Sequence, residues 1–78
     1  MKIKNIADSF KRSYSLMNRA QKKRVREELS AAFNLTTRAS IWYRVNGFVN
    51  HTPSERVTIE KLFNEMGISL VWDNNINH

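Results

Sequence analysis

The sequence predicts an all-α fold, a four-helix domain with a short extended C-terminal tail. Straight-chain helix formers dominate the first two thirds of the chain, and only two glycines and one proline punctuate its 78 residues. Apolar residues recur at spacings of three and four rather than in alternation. A chain this long forms one small domain, placed at residues 1–72, with residues 73–78 as a frayed tail. A domain of this size buries only about 60% of the surface its unfolded chain exposes, so its core rests on a few large side chains.

The first helix is expected over residues 3–17. Ile3, Ile6, Ala7, Phe10, Tyr14 and Met17 form one apolar stripe, with Lys4, Asp8, Lys11 and Arg12 off it. Asn18 followed three positions later by Gln21 is a capping box, which starts a second helix. That helix runs to Phe33 and turns Val25, Leu29, Ala32 and Phe33 inward. Its first turns carry Lys22, Lys23, Arg24 and Arg26. Positive charge there opposes the helix dipole by roughly a few tenths of a kcal/mol per exposed group, so helix stability does not account for the block.

A third helix of about ten residues starts with Thr36 or Thr37 as N-cap and stops at Asn46-Gly47, residue types that tolerate the left-handed conformation. Projected at about 100° per residue, Ile41 and Val45 point inward with Trp42 on the flank of that face, while Ala39, Ser40, Tyr43 and Arg44 point outward or sideways. The fourth helix has the strongest start signal: Thr52 as N-cap, Pro53 at the first position and Glu55 closing a capping box. Its expected stripe is Val57, Ile59, Leu62, Phe63 and Met66, and Gly67 ends it. The run ISLVW after it reads as an extended tail that packs Leu70 or Trp72 on the core, and residues 70–72 are also a candidate homodimer surface.

Composition excludes several classes. No cysteine is present and there are only two histidines, so neither a disulfide framework nor a metal site is expected. No signal peptide or membrane-length apolar run occurs, which leads to the expectation of a cytoplasmic protein without a membrane partner. No nucleophile has a histidine and an acid at an informative spacing, and no glycine-rich phosphate loop is found. Neither enzyme activity, a cofactor nor a small-molecule substrate is therefore expected.

The net charge of +6 is unevenly distributed. Residues 1–50 hold eleven of the thirteen lysines and arginines and three of the seven acids, net +8, leaving net −2 for residues 51–78. A basic end of this kind suits a polyanion, because lysine and arginine neutralise phosphates and release condensed counterions. It equally suits a plain solvated surface.

The run REELSAAFNLTTRASIWYRVNG followed by TPSERVTIEKLFNEMGIS resembles the lambda-repressor-like, Cro-like helix-turn-helix class. It is also similar to short helix-turn-helix proteins of gut Bacteroidetes and their phages. The resemblance spans residues 19–72. Asn34 stands where the family's turn carries glycine, and the spacing from Asn34 to Ile41 is one residue longer than the common form. What the resemblance implies is sequence-specific binding of duplex DNA, in a transcriptional regulator or phage accessory factor, with the third helix in the major groove and the preceding helix across the backbone.

On that basis the DNA-contact candidates are Thr36, Thr37, Arg38, Ser40, Tyr43 and Arg44 on the third helix. Lys22, Lys23 and Arg26 on the second are candidates for phosphates, as is Asn46 in the loop, with Asn50 and His51 beside it. Arginine can pair bidentately with guanine, and Ser, Thr and Tyr can bond bases or phosphates. Thr36 and Thr37 are caps first, and Arg38 can equally cover the core edge with its stem. A second class remains open: a protein-interaction adaptor that uses Trp42, Tyr43, Phe48 and Val49 as anchors on the same basic surface.

Overall fold

The computed structural model describes residues 8–73. Four helices follow in order: α1 (Lys11–Ser15), α2 (Arg19–Phe33), α3 (Arg38–Val45) and α4 (Pro53–Glu65). The core is built from α2, α3 and α4, from the residues flanking α1 and from the tail: Phe10, Met17, Val25, Leu29, Ile41, Val45, Ile59, Leu62, Phe63, Val71 and Trp72. Phe10 is its hub, meeting Phe63 edge-on at 5.4 Å between ring centroids and Trp72 edge-on at 5.7 Å.

The expected first helix is shorter where the structure describes it. Residues 3–7 lie outside the described residues, and α1 is a five-residue segment that starts only at Lys11. The cause is a competing hydrogen bond: the Phe10 N–H donates to the Val45 carbonyl at 2.9 Å, joining this segment to the end of α3. Phe10 supplies no side-chain cap. Asp73 supplies one from the other end of the chain, its carboxylate accepting the Arg12 N–H at 3.1 Å.

The other three helices begin where their capping signals place them. Asn18 and Gln21 form the reciprocal box of α2, and Thr52 and Glu55 that of α4. Thr37 caps α3, its hydroxyl accepting the Ser40 N–H at 3.2 Å. At eight residues α3 is shorter than expected. Asn34 ends α2 in the left-handed conformation at φ 58°, the role glycine has in the family pattern. Gly47 and Gly67, both at φ 83°, follow the ends of α3 and α4. Phe48 N–H then returns to the Tyr43 carbonyl and Ile68 N–H to the Phe63 carbonyl, satisfying last-turn acceptors.

Three inward assignments are corrected. Ala32 is exposed, on the rim of the groove between α2 and α4, and only Val25 and Leu29 of α2 are fully buried. Val57 is 61% exposed; it lies about 200° around the helix from Ile59, on the opposite side of α4 from the buried face. Trp42 is 53% exposed rather than flanking the core. α3 is short, and Ile41 and Val45 alone carry its core contact.

The tail is a structural element of the domain. Ser13 donates its hydroxyl to the carbonyls of Leu70 and Val71, and Asp73 N–H donates to the Ser9 carbonyl at 2.8 Å. Asp73 is therefore held rather than frayed; residues 74–78 lie outside the described residues. Val71 and Trp72 are each 2% exposed, which removes them from the expected dimer surface and leaves only Leu70 outward.

Candidate functional site

The three elements that carry the basic residues meet on one face. α2 and α3 pack together across the Asn34 turn, and α1 lies alongside through Tyr14. Arg26, in the middle of α2, donates to the Tyr14 hydroxyl at 3.1 Å, and the Lys22 ammonium lies 5.7 Å from the centroid of the same ring. Arg26 and Arg38 then line a shared open hollow with Tyr14, Ile41, Trp42 and Val45. No carboxylate lines it. A second hollow, also lined by Arg26 and Arg38, runs along the turn past Thr36 and Thr37, and Glu27 lines it as well.

Acids elsewhere are engaged within the fold. Glu28 and Glu65 both pair with Arg24, Asp8 with Arg56 and Glu55 with Arg44. Glu60 accepts the Trp72 indole N–H, and Asp73 accepts from Ser9 and Arg12. The exposed cations Lys11, Arg12, Arg19, Lys23 and Arg38 keep their field as a result, since no acid among the described residues forms an ion pair with them.

The expected site residues divide into two groups. Arg38 is exposed in the first turn of α3, Thr36 is exposed in the turn, and Tyr43 is 48% exposed. Thr37 and Ser40 bond each other, their hydroxyls 2.9 Å apart, so their first role is the cap. Lys22, Lys23 and Arg26 lie on α2, where Lys22 and Arg26 meet Tyr14 and Lys23 is exposed.

Arg44 does not belong to the outward face. Its side chain is only 14% exposed, its guanidinium carbon sits 4.6 Å from the centre of the Phe33 ring, and Nη1 is 3.4 Å from the Glu55 carboxylate. It is a strut between α2, α3 and α4. Asn46 is buried as well, its amide donating to the Trp42 carbonyl at 2.9 Å, so it closes α3 from within. Nor can His51 touch a backbone phosphate, since its side chain is fully buried between Phe10 and Trp72. Asn50 beside it is exposed.

His51 is held neutral. Burial is the main cause of its lowered pKa and the Arg44 charge the next, and neither ring nitrogen has a hydrogen-bond partner. Asp8, 4.0 Å from Nδ1, pulls the other way, but its carboxylate is already engaged by Arg56 and by the His51 backbone N–H. Glu55 is shifted down, first by the Thr52 N–H it accepts and then by Arg44.

Sequence reasoning missed one member of the face, Tyr14, and placed Trp42 on it only as an anchor of the adaptor reading. Tyr14 gathers Lys22 and Arg26, a meeting that depends on how α1 crosses α2 and has no local signal. Trp42 forms an exposed aromatic group with Tyr43 and Phe48: it stacks on Phe48 at 5.5 Å and 14°, and meets Tyr43 edge-on at 5.5 Å. Its composition was legible in WYRVNGF. The stacking requires Gly47 to turn Phe48 back over α3.

Among the described residues no group of three His, Cys, Asp or Glu side chains is placed to hold a metal ion, and no helix is long and apolar enough to cross a membrane. No protein-family model, curated protein or solved structure matches the chain.

Proposed function

We propose that the chain binds duplex DNA in a sequence-specific way through α3, as a helix-turn-helix transcriptional regulator or phage accessory factor. The observation that supports this best is the convergence of Arg26 and Arg38 on an acid-free hollow between α1, α2 and α3. α3 presents its capped N-terminal turn, with Thr36, Thr37 and Arg38, beside that hollow. In this reading Arg38 reaches base edges or phosphate from the start of the recognition helix, while Arg26, Lys22 and Lys23 neutralise phosphates along α2. Tyr43 is a further outward contact. Arg44 and Asn46 hold α3 in place and touch no DNA.

A cytoplasmic location follows from this reading. Binding by one small module is weak, and dimerisation would supply a second half-site; residues 71 and 72 are not available for it. The test is a fluorescence-anisotropy titration of mixed-sequence duplex DNA at two salt concentrations, with an unrelated duplex as competitor. Affinity should fall steeply with salt, with a log–log slope of about −0.9 per phosphate neutralised. Absent or salt-insensitive binding would sink the proposal.

A second reading has its own observation. Trp42, Tyr43 and Phe48 form an exposed aromatic group next to cationic side chains, the composition of a protein-binding hot spot. An adaptor of this kind would capture an acidic protein partner and show no salt-dependent DNA affinity.

A further inference from the structure

We infer that the Trp42–Phe48 stack is a platform for an unstacked nucleobase, so that the DNA this face prefers is one that carries an unpaired base. This rests on the nucleic-acid reading above and names the ligand within it.

Trp42 is half exposed in the middle of a helix whose other large apolar residues, Ile41 and Val45, are buried. One face of its indole is covered by Phe48, whose ring is nearly parallel to it at 14°, and Tyr43 meets it edge-on at 73°. The ring is therefore held flat before any ligand arrives, which removes the ordering cost a free side chain would bring. The rest of the indole borders the hollow that also holds Tyr14, Arg26 and Arg38. A planar base laid on that surface continues the ring stack, and the phosphates on either side of it fall within reach of guanidinium groups with no carboxylate to compete. Aromatic platforms combined with a cationic groove are how proteins hold single strands, because every base has a π face. An unstacked base presents that face, whereas a base inside a duplex does not.

The test compares the full chain on three ligands: a paired duplex, the same duplex with one unpaired base, and the single strand. The unpaired-base duplex and the single strand should bind about tenfold tighter than the paired duplex. Binding should quench tryptophan emission, with buried Trp72 as a constant background. Trp42→Ala should remove the tenfold preference and the quenching, and Trp42→Phe should retain most of the preference. Phe48→Ala, which keeps Trp42 but frees it, should weaken the preference in part. Equal affinity for all three ligands, or equal weakening of all three by Trp42→Ala, overturns the platform and leaves duplex binding standing. Salt-sensitive binding to none of them overturns both readings, and Trp42-dependent binding of polyglutamate in their place assigns the surface to an acidic protein.

Discussion

Arg44 of α3 stacks on Phe33 of α2, its guanidinium carbon 4.6 Å from the ring centroid. The same guanidinium reaches Glu55 at the start of α4. One side chain thus ties α3, which carries the candidate site, to both α2 and α4, and it does so with both its charge and its flat face.

Arg44→Ala should therefore act on stability rather than on DNA affinity. The loss of a half-buried cation–π contact and its ion pair is about 1–2 kcal/mol. In a domain of this size each kcal/mol lowers Tm by about 4–8 °C, which thermal unfolding followed by circular dichroism resolves. Arg44→Lys should recover only part of the loss, because an ammonium lacks the planar fork that stacks. A large fall in DNA affinity with unchanged Tm would contradict the strut.

Arg26→Ala and Arg38→Ala should behave in the opposite way. Each should weaken duplex binding and reduce the magnitude of the salt slope by about 1, with little change in Tm. Lys61→Ala is the control, because Lys61 lies on the α2–α4 groove with Val57 and Glu65, away from the basic hollow. Equal effects of all three variants on affinity would show non-specific charge attraction rather than a site.

Stability should fall on acidification in two stages. The folded state keeps His51 neutral below its ordinary pKa of 6.5, whereas the unfolded chain takes up the proton. The stability this contributes is complete above 6.5, declines as pH drops below it, and stops declining once the folded state also protonates. Glu55 follows, its depressed pKa contributing stability that is present above 4.5 and lost as pH falls through the folded value. Tm measured against pH at constant ionic strength should show both stages. His51→Leu should flatten the first and Glu55→Gln the second.

Trp72→Ala should be the most damaging of these substitutions, at about 3–5 kcal/mol, because it empties a site packed by Phe10, His51 and Arg56. That is a large share of the roughly 5–15 kcal/mol a domain has in total. The melting temperature of the unaltered chain should not depend on protein concentration if Val71 and Trp72 serve their own core. A rise in Tm with concentration would instead mean that the tail stabilises a dimer.

Asn34→Gly should raise Tm slightly, by the equivalent of some tenths of a kcal/mol, since φ 58° costs an asparagine more than a glycine. Asn34→Ala should lower it by the equivalent of about 1 kcal/mol. Both are read from the same thermal scan.

The helix class and most helix ends belong to the sequence alone. Capping boxes at Asn18 and Thr52, the Thr37 cap, and the stops at Asn34, Gly47 and Gly67 act over three or four residues, so local chemistry decides them wherever the chain lies. The uneven charge was equally legible. The tertiary structure decided what distant residues do to one another. Phe10 leaves a helical pattern because Val45 takes its N–H, and Asp73 becomes the cap of α1 across 61 residues. Helical projection groups residues by angle, but it cannot say which neighbour arrives at that angle. For Arg44 the neighbours were Phe33 and Glu55, which turned an outward cation into a strut, and for Trp42 it was Phe48, which braced the indole at the surface. Charge and caps are properties of short segments; the role of each arginine is a property of what packs beside it.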